Sequence, residues 1–171
     1  MSEQFVVRLA TVTDAFILAR HRAAMFRDMG ILPDELYDSL VDASRRYFEE
    51  AVPSGEYLGW VAALAGRSGE IVAGAGVQMR RALPHPNPRT RQIVFGPQGV
   101  VLNVYTEPAW RRRGLAALLM RHVLDWAKVN GVRNLVLHAS PDARALYQKL
   151  GFVPTNEMRY IDDSEPHGQD S

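Results

Sequence analysis

No cysteine occurs in this chain. That excludes disulfides, thiolate metal ligands and a cysteine nucleophile, and it fits a reducing compartment. No stretch approaches the ~18 consecutive apolar residues of a membrane span. The opening residues, MSEQFVVRLA, lack the apolar run of a signal peptide. The expected location is cytoplasmic, with no membrane partner. A surplus of one charge is also missing, since 20 basic residues face 19 acidic ones. A protein that held nucleic acid through its phosphates would carry a broad basic surplus, so no nucleic-acid partner is expected. The five histidines are scattered and none forms His-x-x-x-His, so no metal site is expected.

What is present is a chain of 171 residues with 47% apolar content, enough to build a core. One domain is expected over residues 1–162, followed by a polar, disordered tail at 163–171. QFVVRLA reads as a first strand. Thr13 or Asp14 is placed to cap a helix in which Phe16, Ile17, Arg20, Ala24 and Arg27 recur at helical spacing, stopping near Gly30. A second helix opens at Pro33–Asp34 and runs to about Glu50, with Leu36, Leu40, Tyr47 and Phe48 as its buried side. YLGWVAALA and EIVAGAGVQMR form a hairpin that turns at Gly66 to Gly69. Residues 80–99 hold three prolines within five positions and read as a long loop, either a functional lid or an insertion without chemistry.

GVVLNVYT is a nearly unbroken apolar strand, as in the middle of a sheet. Leu115, Leu118, Leu119, Val123 and Trp126 form one face of a helix that ends at Asn130–Gly131. VRNLVLHAS is a strand, PDARALYQKLG a short helix and FVPTNEMRYI a last strand. The order predicts an α/β (α+β) fold: a mixed, largely antiparallel sheet flanked by helices, with a central βαβ crossover.

The basic residues are local, and Arg111, Arg112 and Arg113 stand just before the helix that begins near Gly114. A helix N-terminus already carries partial positive charge. Its first N–H groups lack partners within the helix, so that corner is a ready anion site. A diphosphate there would use the donors and offset the arginines, and Gly114 and Ala116 are small enough to let it approach. Alternatively, the arginines are solvated and Gly114 is a turn residue. GAGVQM lacks the third glycine of a dinucleotide fingerprint and reads as strand packing.

Two blocks carry a resemblance. The first is Arg111-Arg112-Arg113-Gly114-Leu115-Ala116, after NVYTEPAW. The second is SPDARALYQKLGF, with Ser140, Ala143, Leu146, Tyr147, Lys149, Gly151 and Phe152. Together, in this order, they resemble the GNAT superfamily of acetyl-CoA-dependent N-acyltransferases. The resemblance implies an N-acetyltransferase with acetyl-CoA as acyl donor. It implies a CoA diphosphate on the amides from Arg112 to Ala116 and a pantetheine arm along Val104, Tyr105 and Thr106. Ser140 replaces the superfamily's usual asparagine and retains a hydroxyl able to hydrogen-bond the pantetheine or a phosphate. The acceptor is expected to be an amine of a small molecule, peptide or protein, and the superfamily's habit suggests a homodimer. A non-catalytic module that senses acyl-CoA is the alternative.

The implied chemistry has three needs. The thioester carbonyl needs a donor as it gains charge, which the resemblance places on a backbone N–H near Tyr105. The leaving thiolate needs a proton, and Tyr147 is its candidate source, since a phenol of pKa about 10 is protonated at neutral pH. The attacking amine must lose a proton. Glu107, at the end of the central strand, is the first candidate base, followed by His138, then His85 and Glu56; water relaying the proton to bulk is a further route. Without cysteine, direct attack in a ternary complex is favoured over an acyl-cysteine. Asn103 either lines the acceptor pocket or is a buried, satisfied asparagine. The charges of RHRAAMFRDMG and PDELYD either select the acceptor or form a solvated face, with the latter favoured.

Overall fold

The first strand is where the sequence predicts it and forms one edge of the sheet. A computed structural model describes residues 4–158. Strand β1 (Phe5–Leu9) leads to helix α1 (Ala15–Asp28), whose start is fixed by Asp14. The Asp14 carboxylate accepts the Thr11 N–H at 2.8 Å and both terminal nitrogens of Arg8 at 2.8 Å. These bonds, Arg8 foremost, hold its carboxyl below the usual range. Gly30, at φ +72°, ends the helix. Helix α2 (Tyr37–Ser54) follows and stops at Gly55, at φ +77°.

Strands β2 (Tyr57–Leu64), β3 (Arg67–Asn87), β4 (Gln92–Thr106) and β5 (Asn134–Leu137) complete a five-stranded sheet in the order β1-β2-β3-β4-β5. All neighbours are antiparallel except β4 and β5, which are parallel and joined through helix α3 (Leu115–Val129). This is the expected mixed sheet with its crossover. The sheet is covered on both faces, which explains the continuous apolar run of β2. Leu18, Ala19 and Ala23 of α1 and Val41, Phe48 and Ala51 of α2 pack with Tyr57 and Val61. On the other face Trp60 meets Trp126 of α3 edge-on, with ring centroids 5.6 Å apart.

Several expectations are corrected. The buried stripe of α1 is Ala15, Leu18, Ala19, His21, Ala23 and Ala24, and Phe16 is exposed. In α2 the buried positions are Val41, Ser44, Phe48 and Ala51, whereas Tyr47 is partly exposed and Leu36, just before the helix, is exposed. On α3 Met120 and Ala127 join Leu115, Leu119 and Val123 in the core, with Leu118 and Trp126 half-buried beside them.

The largest correction is the loop expected at residues 80–99, which is the outer half of a β3–β4 hairpin. Beyond Tyr57↔Gln78 and the Met79 N–H bond to the Glu56 carbonyl, β3 has no β2 partner, so among the described residues its positions 80–87 pair only with β4 and leave one edge open. Prolines, which cannot donate to a ladder, are tolerated on such an edge. The turn is fixed by Asn87, whose side-chain oxygen accepts the N–H groups of Arg89 (2.9 Å) and Thr90 (3.2 Å). The β2–β3 hairpin turns at Ala65–Gly66, one end of the expected span.

Residues up to His138 form one compact unit and those from Ala139 another. The second contains the short helix α4 (Arg144–Lys149). Residues 152–158 are not a strand, contrary to expectation. The rest of that expected strand and the tail at 163–171 lie outside the described residues.

Candidate active site

Between β4 and α3 the chain makes a tight turn. Arg112 has φ +62° and Gly114 φ +78°, so two left-handed residues flank Arg113. Left-handed backbone costs an ordinary side chain roughly 1–2 kcal/mol, and strain of this kind concentrates at functional sites. The helix's bonding begins with the Leu118 N–H donating to the Gly114 carbonyl at 2.9 Å. The N–H groups of Leu115, Ala116 and Ala117 precede that bond and have no carbonyl within the helix to reach. A Cβ built on Gly114 would meet nothing within 4 Å, so the corner is open.

The arginines are tolerated here for reasons the structure shows. Arg111 turns away: its Nε donates to the Thr106 carbonyl at 3.0 Å and its Nη2 to the Asp28 carboxylate. Arg113 lies over the Trp110 ring, 4.7 Å from its centroid.

Strand β4 is open where the resemblance implies a pantetheine arm. Its parallel ladder with β5 ends at Val101↔Leu137. From Leu102 to Thr106 the side of β4 away from β3 has no strand partner among the described residues. On the β3 side the register steps from Gly76↔Leu102 to Gly74↔Tyr105, so β4 carries an extra residue. Asn103, at φ +55°, sits in this bulge. A bulge takes backbone off the ladder and re-aims it, here directly before Val104 and Tyr105.

At the end of β4 stands Glu107. Its Oε1 accepts Arg20 Nη2 at 3.0 Å, and His21 Nε2 lies 3.4 Å from the same oxygen, too poorly aligned for a hydrogen bond. His21 is buried, with 2% of its side chain exposed, and neither ring nitrogen has a hydrogen-bond partner among the described residues. Burial first, and the Arg20 charge second, push its pKa down to about 4, so the imidazole is neutral. Its ring packs against Tyr105 at 5.0 Å. Gly74 leaves room for it, since a Cβ there would sit 3.3 Å from Nδ1.

Beside the bulge lies a cavity of about 310 Å³. Helix α1 contributes Arg22, α2 contributes Ser44, Tyr47 and Phe48, and the strands contribute Tyr57, Gln78, Leu102 and Asn103. Asn103 is buried and satisfied and also lines the cavity. Its Oδ1 accepts Arg22 Nη1 at 2.7 Å, and its Nδ2 donates to the Tyr57 hydroxyl at 3.1 Å. Gln78 donates to Tyr47, which donates to Glu56, both at 2.8 Å.

In the second unit, Tyr147 is buried on α4, its ring centroid 6.0 Å from that of Phe152. Burial raises its pKa, so its phenol is protonated at neutral pH. Ser140 caps the turn before α4, its carbonyl accepting the N–H groups of Ala143 and Arg144 at 3.1 Å. Of the other candidate bases, His85 lies on the outer hairpin and Glu56 is bonded to Tyr47. His138 directly follows β5.

A model of the acetyltransferase (GNAT) family matches residues 24–152. The chain belongs to the GNAT family. It is therefore an acyltransferase, as the two motifs implied. The chain is similar to a GCN5-related N-acetyltransferase from Ralstonia eutropha JMP134, with 29% identity and a TM-score of 0.78 over 93% of this chain and 99% of that one. It is also similar to a predicted acetyltransferase with acetyl-CoA from Clostridium acetobutylicum: 26% identity, TM-score 0.75, 96% and 99% coverage. Aminoglycoside N(6')-acetyltransferase type 1 of Stenotrophomonas maltophilia is 25% identical over 158 residues, covering 91% of this chain and 90% of that protein.

For this GNAT chain, sequence reasoning placed the β4–α3 corner but missed His21, Arg22 and Tyr57. The RHRAAMFRDMG charges are not merely a solvated face: Arg20 holds Glu107, Asp28 holds Arg111, and Arg22 is half-buried at the cavity. The acidic residues of PDELYD do face solvent. One signal was present for His21: it falls three residues after Leu18, on the buried side of an alanine-rich helix.

Proposed function

We propose that the protein transfers an acetyl group from acetyl-CoA to the amine of a small molecule or peptide, by direct attack in a ternary complex. The carrying observation is the conjunction at one corner: helix N–H groups behind Arg112 and Gly114 with no partner within the helix, and an edge of β4 after Val101 with no strand partner among the described residues. The donor set fits the ligand, because backbone N–H groups suit a diphosphate and an open strand edge suits a peptide-like arm. When bound, acetyl-CoA supplies the acetyl group as a thioester. The amides of Arg112, Arg113, Gly114, Leu115 and Ala116 would hold its diphosphate. Val104, Tyr105 and Thr106 would hold its pantetheine arm, with Ser140 as a further hydrogen-bonding group. The bulge supplies a backbone N–H near Tyr105 for the carbonyl as it gains charge.

Glu107 accepts the proton that the acceptor's ammonium must lose, and the Tyr147 hydroxyl protonates the leaving thiolate. The amine nitrogen bonds the acetyl carbon as the carbon–sulfur bond breaks; the second proton it then sheds restores the Tyr147 hydroxyl, Glu107 passes the first to water, and no acyl-enzyme forms. Both compact units belong to one catalytic domain, residues 1–162, acting in the cytoplasm. A homodimer is part of this reading: Leu83 and Phe95 stand 86% and 78% exposed on the outer hairpin, and sedimentation velocity tests it. The activity is tested by free-thiol release from acetyl-CoA across an amine panel. Amine-dependent release supports it; tight acetyl-CoA binding with no release for any amine refutes it and favours a sensor.

A further inference from the structure

The cavity beside the bulge has a chemistry of its own. Its walls are aromatic and aliphatic, from Phe48, Tyr57 and Leu102, with neutral polar groups on Ser44, Gln78 and Asn103. Among the described residues that line it, Arg22 alone carries a formal charge. That guanidinium is half-buried and lies 4.8 Å from the centroid of the Phe26 ring. It donates to a neutral acceptor, Asn103 Oδ1, at 2.7 Å. No ion pair among the described residues involves it, whereas Arg20 and Arg111 each have a carboxylate. The Glu56 carboxylate, which accepts the Tyr47 hydroxyl at 2.8 Å, does not line the cavity. A guanidinium has five N–H donors in a fixed fork, and a charge withdrawn from water is ordinarily paired. Among the described residues no carboxylate pairs with it, and the space next to it is open.

Resting on the acetyl-transfer reading above, we infer that the acceptor is an amine that also carries an anionic group, a carboxylate or a phosphate, which Arg22 binds in this cavity. The aromatic and aliphatic walls take the body between the two groups. An acceptor that brings only positive charge meets the Arg22 cation, and none of the described lining residues is an acid, so polycationic amines are poor substrates.

The test uses matched amines bearing a free carboxylate, a phosphate, or the carboxylate capped as its neutral amide, together with a polycationic aminoglycoside. KM and kcat are read by thiol release, and binding by calorimetry in the presence of CoA. The anionic members should show a KM about 10- to 100-fold below their neutral partners, the worth of a charge-assisted hydrogen bond pair. Whichever of carboxylate and phosphate binds more tightly identifies the group. In Arg22→Gln that advantage should vanish while acetyl-CoA affinity stays unchanged, and Arg22→Lys should retain part of it. Neutral or polycationic amines used as well as the acids overturn the inference, as does an Arg22→Gln protein that keeps the preference. If no amine is acetylated, calorimetry still decides: acids that bind the wild type but not Arg22→Gln uphold the anion site and refute only the transfer reaction. An absence of acid preference in binding refutes the site itself.

Discussion

Lowering the pH from 7 to 5 should cost this protein stability, through one buried histidine. His21 has a folded pKa of about 4, against 6.5 for the free side chain. The folded state therefore binds its proton less readily than the unfolded state does. A depressed histidine pKa gives stability that is fully present above about pH 6.5 and is lost as the pH falls through about 4. Linkage over that window gives a loss of about 2 kcal/mol between pH 7 and 5, and about 3 kcal/mol by pH 4. The groups facing the ring are the Arg20 guanidinium, which disfavours the imidazolium, and the Glu107 carboxylate at 3.4 Å, which opposes that effect. Loss of about 2 kcal/mol corresponds to a fall in melting temperature of roughly 4–8 °C for a chain of this size. Urea titrations and thermal melts at pH 7, 6, 5 and 4 measure it, with His21→Gln as control. The variant is less stable at pH 7 but should lack the slope between 6.5 and 4. Equal wild-type stability at pH 7 and 5, or the same slope in His21→Gln, would refute the reasoning.

Three further outcomes follow from named contacts. Gly76→Ala places a Cβ against the Tyr57 hydroxyl; it should destabilise by about 1–3 kcal/mol and raise the acceptor KM, read by melts and kinetics. Gly114→Val forces a β-branched residue into φ +78° at the proposed diphosphate corner; calorimetry should show acetyl-CoA affinity falling about five- to tenfold. Tyr147→Phe removes only the hydroxyl, so kcat should fall by about 100-fold or more with acetyl-CoA affinity and melting temperature nearly unchanged.

The element order as far as α4 was legible because most strands and helices here differ in hydrophobic period, and the β4–α3 corner because Arg111–Ala116 is a local motif. What escaped the sequence was set by tertiary partners. The prolines at 84, 86 and 88 read as a loop because nothing local says that β3 has an open edge there. The buried side of α1 is mostly alanine, so its period is weak, while exposed Phe16 misleads. Arg22 and Asn103 are 81 positions apart, and only folding brings them within 2.7 Å. Gly74 and Gly76 read as strand packing; their smallness answers to His21 and Tyr57 across the sheet face.

The claim on which the account rests is that the start of α3 holds a diphosphate. Its most direct measurement is calorimetric titration of the wild-type protein with acetyl-CoA and, separately, with S-acetylpantetheine, which lacks the diphosphate and the nucleoside attached to it, the Gly114→Val protein serving as the control that reports on the diphosphate corner alone. The account predicts saturable one-to-one binding of acetyl-CoA and affinity for S-acetylpantetheine weaker by about 100-fold. Equal affinity for the two, or no heat with acetyl-CoA, would contradict it.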